Sequence, residues 1–177
     1  MQGSQWSAAQ MFRCGKHVPA LMLLLVLVLH GAGLCAQDCS GTVRWVYDGD
    51  TLEVAGCGTV RLVGIDCPEK KNSRRDRDFI ALGADSALQL RHSAQDTLHY
   101  LIHKVKGRTV RLELEQPSRD KYARLLAYVW LEDGTMLNRE LLRQGRARVY
   151  RRFNFAYKRE FLRLEQQAIA SRRGMWR

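Results

Sequence analysis

The sequence predicts an α+β domain: a small barrel of five strands with three helices added to it. Three observations carry that expectation. Runs rich in β-branched and aromatic residues, separated by turn residues, come as a group of three and then a group of two. Helical periodicity falls between the two groups and again after them. Strand and helix never alternate one for one, which argues against a doubly wound parallel sheet. At 177 residues the chain has the length for one domain with its own core.

Residues 42–47 and 51–55 carry Val, Trp, Tyr and Thr, and Asp48-Gly49-Asp50 between them is a turn signal. Residues 59–65 read as a third strand, stopped by Pro68. The polar stretch 69–78 reads as a loop. Apolar residues then recur with the helical period from Ile80 and Ala84 through Leu101 and Val105, and Gly107 is a stop. Residues 109–114 and 124–131 read as strands, the second closed by Asp133-Gly134. Asn138 is expected to cap a short helix ending at Gly145. Asn154 is expected to cap a last helix whose inner face is Phe161, Leu162, Leu164, Ala168 and Ile169. Five strands in this order, with helices appended, suit a barrel of the OB type.

The first 36 residues read as a separate signal peptide. Arg13, Lys16 and His17 precede an apolar run from Val18 to Leu29, and small residues follow at Gly31, Ala32, Gly33 and Ala36. The run is too short to span a bilayer comfortably. Cleavage after Ala36 leaves residues 37–177 as the domain and predicts an exported protein, extracellular or periplasmic. It also leaves Cys39, Cys57 and Cys67. Cys39 and Cys57 lie almost equally far on either side of Gly49, as cross-strand partners would, and an oxidising compartment favours a disulfide between them. Cys67 is then the odd thiol. Three cysteines without a paired Cys or His spacing argue against structural zinc.

The formal net charge is +11, which calls for an anionic partner. The excess is local. Residues 37–142 hold 16 basic and 16 acidic residues, whereas residues 143–177 hold 11 basic residues against Glu160 and Glu165, a net of +9. A neutral body with a basic flank fits a nucleic-acid partner.

Five residues carry the chemistry: Asp50, Arg61, Asp66, Glu69 and Arg124. Two carboxylates hold a hard cation, a third handles a water, and two guanidinium forks grip a phosphate, the parts of metal-assisted phosphodiester hydrolysis. Two carboxylates, a backbone carbonyl and waters describe a calcium or magnesium site. Arg61 and Asp66 are five residues apart, which puts them on opposite faces of an ideal strand, so a bend is needed to bring them together. His99 and His103 stand i, i+4 on the long helix, but without the Glu of a His-Glu-x-x-His site they read as helix surface.

Together, Val46-Tyr47-Asp48-Gly49-Asp50-Thr51, the stretch from Val60 to Glu69, the stretch from Asp120 to Ala127, Leu137-Asn138 and Gly174-Met175-Trp176 resemble the staphylococcal nuclease (thermonuclease) family. The resemblance runs from about Thr42 to Trp176 in the family's order. It implies an OB-fold barrel with three helices and calcium-dependent cleavage of DNA and RNA, single strands preferred, with little sequence specificity and 3′-phosphate ends. Mg²⁺ and Mn²⁺ remain open as alternatives to Ca²⁺. Carried over by position, it implies Asp50, Asp66 and the Cys67 backbone carbonyl as metal ligands and Glu69 as the residue that orients or deprotonates water. It further implies Arg61 and Arg124 as the phosphate clamp, and Lys121 and Tyr122 as contacts to a neighbouring phosphate. A monomer is expected.

Three departures from the family pattern stand out. Cys67 replaces a Thr or Ala. Ala123 replaces the usual Gly before Arg124, which costs strain if the backbone there has φ > 0. The paired tyrosines that stack near the nucleotide are not reproduced, leaving Tyr150, Phe153, Phe155 or Tyr157 as substitutes. The alternative function is a non-catalytic nucleic-acid-binding OB-fold module. Relatives of that kind have typically lost catalytic carboxylates or arginines, and this chain keeps all five residues.

Overall fold

Apolar residues set at strand period in two groups, with helical period between and after them, fold into one layer of sheet closed on itself and flanked by helices. The computed structural model describes residues 39–177; the segment read as an export signal lies outside the described residues. In chain order the elements are β1 (Cys39–Val46), β2 (Thr51–Val54), β3 (Gly58–Leu62), β4 (Ile65–Asp66), α1 (Asp76–Ile80), α2 (Ala87–Val105), β5 (Thr109–Arg119), β6 (Leu125–Leu131), α3 (Leu137–Arg143), β7 (Arg148–Val149), α4 (Lys158–Ala170) and a closing 3₁₀ turn (Gly174–Trp176).

The barrel order is β1-β2-β3-β6-β5, with β5 returning to pair with β1. Closure removes the free sheet edges that invite association. All neighbours are antiparallel except β3 and β6, where Val60, Arg61 and Leu62 run parallel to Leu125, Leu126 and Ala127. A parallel pair needs a long crossover, and α1, α2 and β5 supply it. Val43, Leu52, Val54, Val60, Leu62, Leu112, Ala127 and Val129 are buried in the barrel, and the core continues into Leu101 and Val105 of α2, Leu137 and Leu141 of α3 and Phe161 of α4. Each fully buried side chain of this kind contributes roughly 1.5–3 kcal/mol before the entropy of ordering it is counted.

Several expected boundaries move, each for a local reason. The third strand ends at Leu62, because Gly64 at φ +78 turns the chain, and Ile65–Asp66 leaves the barrel to pair with Arg148–Val149. The helical pattern from Ile80 onward starts on the last residue of α1 and resumes only at Ala87, where α2 begins. Gly83 at φ +112 interrupts it, and the Ser86 hydroxyl restarts it by accepting from the Gln89 N–H. The loop read over 69–78 ends inside α1.

Two expected caps are not caps. Asn138 lies fully buried inside α3, where its side chain accepts from the Val129 N–H at 3.0 Å and donates to the Val63 carbonyl at 2.9 Å, tying β6 to the β3–β4 turn. Asn154 precedes α4 by several residues and accepts from the Lys158 ammonium. On α4 the buried positions are Phe161, Glu165 and Ala168, whereas Leu162, Leu164 and Ile169 are half-buried at the margin of the core. Glu165 is tolerated inside because it accepts from the Val149 N–H at 2.7 Å and pairs with Arg151.

Candidate active site

The site begins with a turn. The Asp48 carboxylate accepts from the Asp50 N–H at 2.9 Å, the local bond that makes Asp-Gly-Asp reverse the chain. Gly49 is required by close approach: a Cβ there would stand 2.6 Å from Cβ of Cys67 and 2.9 Å from its sulfur. The turn is also knit to Cys67 directly, because the Cys67 N–H donates to Asp50 Oδ2 at 3.0 Å and the thiol donates to the Gly49 carbonyl at 3.1 Å. Asp50 is thereby held against the residue that follows Asp66.

Gly64 supplies the bend that Arg61 and Asp66 need. A side chain there would clash with the Phe155 ring, and the turn carries Asp66 back to the face that Arg61 occupies. Arg61 Nη2 lies 3.0 Å from Asp50 Oδ2 and 3.6 Å from Asp66 Oδ1, and it donates to the Ile65 carbonyl at 2.8 Å. One cationic nitrogen thus sits among two carboxylates and a backbone oxygen. Burial works against the charge of Arg61, but Asp50 and then Asp66 more than offset it and raise its pKa. Burial also pushes the Asp66 carboxyl above the ordinary carboxylate range, with Asp50 adding, against the pull of Arg75, Arg148 and Arg61. The Asp48 carboxyl is raised as well, by burial first and by the charge of Asp50 second. Burial, again with Asp50, pushes the Cys67 thiol well above its usual value, which keeps it a protonated donor to Gly49.

Two arginines at this centre escaped the sequence reading. Arg75 donates to Asp66 Oδ1 at 2.6 Å and pairs with Glu69, so it bridges a carboxylate of the pair to the third carboxylate. Arg148 donates to Asp66 Oδ2 at 2.8 Å and to Asp78 at 2.9 Å, with its guanidinium over the Phe79 ring. Arg148 reaches Asp66 only through the β4–β7 pairing, 82 residues apart in sequence, and no local pattern announces it. Arg75 lies six residues after Glu69 in a stretch dense in basic residues; that density was the available signal.

Arg124 stands apart from the carboxylate pair. Asp120 grips its Nε at 2.8 Å and its Nη2 at 2.7 Å, and its Nη1 reaches Thr51 Oγ1 at 3.4 Å. Arg61 and Arg124 line the same cleft of about 290 Å³, together with Arg75, Lys121, Tyr122, Tyr150 and Phe153. Of the aromatic substitutes weighed from the sequence, Tyr150 and Phe153 face this cleft. Phe155 is buried, and Tyr157 is occupied by Glu113 and the Tyr128 ring. Ala123 has φ +63, the left-handed conformation, so the strain foreseen for alanine at that position is present.

Among the described residues no group of three or more His, Cys, Asp or Glu side chains forms a metal cluster, and His99 and His103 are exposed on α2. The chemistry of the donor set at Asp50 and Asp66 nevertheless fits a hard cation. It is all oxygen, it converges, and it already holds a positive nitrogen between its members. Cys39 and Cys57 are joined by a disulfide with Cα atoms 6.2 Å apart.

Comparison with known proteins gives concordant results. A family model described as "Staphylococcal nuclease homologue" matches residues 59–177. A protein of Methanocaldococcus jannaschii is 34% identical over 147 residues, 77% of this chain and 70% of the relative. An endonuclease of Escherichia coli O157:H7 is 32% identical over 164 residues, 91% of this chain and 89% of the relative. A thermonuclease of Staphylococcus hyicus is 29% identical over 152 residues, 82% of this chain and 80% of the relative.

Proposed function

This chain belongs to the family of staphylococcal nuclease homologues, and from that premise we propose that it is an exported, divalent-metal-dependent nuclease that hydrolyses DNA and RNA with little sequence specificity. The single observation that carries the reading is the geometry at Arg61. Its guanidinium joins Asp50 to Asp66 and shares a cleft with Arg124, so carboxylates and phosphate-gripping forks adjoin each other.

Asp50, Asp66 and the Cys67 carbonyl are the residues that would hold the cation, with calcium the proposed ion and magnesium or manganese its alternatives. A bound divalent cation there supplies neutralisation of phosphate charge and polarisation of a water. Arg61 and Arg124 present fixed N–H forks to the phosphate oxygens, and their charge is worth most as negative charge builds on those oxygens in the transition state. Asp120 holds Arg124 in place at two nitrogens, and Nη1 reaches the Thr51 hydroxyl. Glu69, freed from Arg75, accepts the proton of the water that attacks phosphorus. The bond from phosphorus to the 5′ oxygen breaks, that oxygen takes a proton from solvent water, and the products end in 3′-phosphate and 5′-hydroxyl. Lys121 and Tyr122 at the cleft mouth contact the next phosphate, and Tyr150 and Phe153 receive the base.

The disulfide fits export to an oxidising compartment, and no helix among the described residues is long and apolar enough to cross a membrane. The test uses single-stranded DNA with calcium, magnesium, manganese and chelator, on wild type, Glu69→Gln and Arg124→Ala. Metal-dependent cleavage with 3′-phosphate products, reduced roughly 100-fold or more in each variant, is expected. Salt-sensitive binding without cleavage under any metal would assign the chain to the non-catalytic binding modules instead.

A further inference from the structure

We propose that Trp45 and Tyr47 form a stacking platform for the bases of a single-stranded nucleic acid running past the carboxylates, with Lys106 and Lys70 placed for its phosphates; this deepens the reading above and rests on it for the position of the cut. Trp45 is 53% exposed and Tyr47 46% exposed, two of the largest apolar side chains on the surface, while Val46 between them is buried. Residues i and i+2 of an extended chain share a face, about 6.6 Å apart along it, so both rings stand on the outer side of the barrel. Tyr47 is followed directly by the Asp48-Gly49-Asp50 turn, and neither ring lines the cleft that holds Arg61 and Arg124. The platform is therefore an additional surface, joined to the site by one turn of chain.

The charges around the rings favour this occupant. The Lys106 ammonium stands 4.2 Å from the centre of the Trp45 ring. Lys70, the residue after Glu69, donates to the Tyr47 carbonyl at 3.4 Å, so the segment carrying Glu69 is fastened to the platform. Glu53 lies on the same face, opposite Trp45, and accepts from the Tyr47 hydroxyl at 3.3 Å and the Thr59 hydroxyl at 3.0 Å. A carboxylate at the sheet surface repels a phosphate backbone laid flat on it. It admits a strand whose bases face the rings and whose phosphates turn outward to the two lysines. Aromatic rings stack on any base, which suits a nuclease without sequence preference, and a duplex keeps its bases inside and cannot use them.

The experiment uses the full chain in chelator, so that nothing is cut, with a fluorescently labelled ten-nucleotide oligothymidylate and a duplex of the same length. Trp45→Ala and Tyr47→Ala are each expected to weaken the single strand by roughly 5- to 140-fold, the range for loss of one stacked base, and the duplex by less than about twofold. Trp45→Phe, which keeps a ring, is expected to restore most of the single-strand affinity. An unchanged thermal transition in the alanine variants shows that the barrel is intact. Single-strand affinity within about twofold of wild type, or an equal loss for duplex, overturns the platform. So does a wild-type dimer that dissociates in these variants while oligonucleotide affinity is kept, which would give the face to a second copy. Cleavage assays on the same proteins separate the two readings. Weakened binding by the variants of a protein that fails to cleave under any metal keeps the platform and removes the nuclease, and normal binding in variants of an active enzyme does the reverse.

Discussion

At Ala123 the backbone sits at φ +63 without a glycine to relax it. A non-glycine residue in the left-handed region costs roughly 1 kcal/mol or more, and here it immediately precedes Arg124. Ala123→Gly is expected to raise stability by about 0.5 kcal/mol in urea unfolding, the relieved strain being partly offset by glycine's greater unfolded freedom; a loss of stability would show that the alanine is unstrained. Arg75 is the second residue whose environment dictates an outcome. It donates to a fully buried carboxylate that the proposed cation would also need, so it competes with that cation. Its side chain is 39% exposed, and screening limits the pair to about 1 kcal/mol. Arg75→Gln is expected to lower the thermal stability of the metal-free protein slightly and to tighten calcium binding about fivefold by calorimetry. Weaker calcium binding in this variant would make Arg75 a support of the site and not a competitor. Asp50, Asp66, Glu69, Arg61 and Arg124 were legible as residue types in the sequence, because turn chemistry and motif spacing are local. Arg75 and Arg148 were not, because their roles follow from where α1 and β7 come to rest.

Elements explain which part of the pattern misled. The run from Ile80 to Val105 reads as one helix, but Ile80 closes α1 and α2 starts only at Ala87, with Gly83 and the Ser86 cap between them. Asn138 looked like a cap because asparagine before an apolar run usually is one. Burial decides otherwise: its side chain bonds to β6 and to the turn that aims Asp66, a long-range pairing that no window of sequence contains. The short α1 is secured in a similar way. Asp76 accepts from both terminal nitrogens of Arg91 on α2, at 2.7 and 3.0 Å, and from the Ser73 N–H at 3.1 Å. Burial opposes the Asp76 charge, but the bonds from Arg91 and the Ser73 N–H outweigh it and hold the carboxyl below its ordinary value of 3.8. A lowered folded pKa gives stability that is present above the unfolded value and is lost as pH falls through the folded one. Asp76→Asn is therefore expected to cost about 2 kcal/mol at pH 7 and progressively less than that below pH 4, with α1 and its Asp66-binding neighbour Arg75 loosened. Thermal unfolding of both proteins between pH 2 and 7 measures the difference, and parallel curves would show that the ion pair contributes nothing.

For the molecule as a whole, the fold class was legible because the order of strand and helix segments already excluded the parallel alternatives, and closure follows once β5 is long enough to reach both β6 and β1. The two-stranded β4–β7 sheet was not legible, since neither two-residue strand has a period to read. Closure at β1 has a second, covalent support. Cys39 opens β1 where it pairs with Leu112 of β5, and Cys57 sits in the β2–β3 turn. The bond therefore ties the start of the barrel to its second hairpin across 18 residues of sequence. That loop contains the Asp48-Gly49-Asp50 turn, so the disulfide restricts the unfolded chain in the segment that must be ordered for the carboxylates to meet. A loop of this length contributes about 3 kcal/mol through the entropy of the unfolded state, a large share of the 5–15 kcal/mol typical of a domain. Replacing both cysteines by alanine is expected to lower the unfolding free energy by about that amount. Dithiothreitol is expected to lower wild type toward the variant and to leave the variant unchanged, since Cys67 is unpaired and buried. Equal stability of oxidised wild type and the double variant would mean that the barrel closes on its core and hydrogen bonds alone.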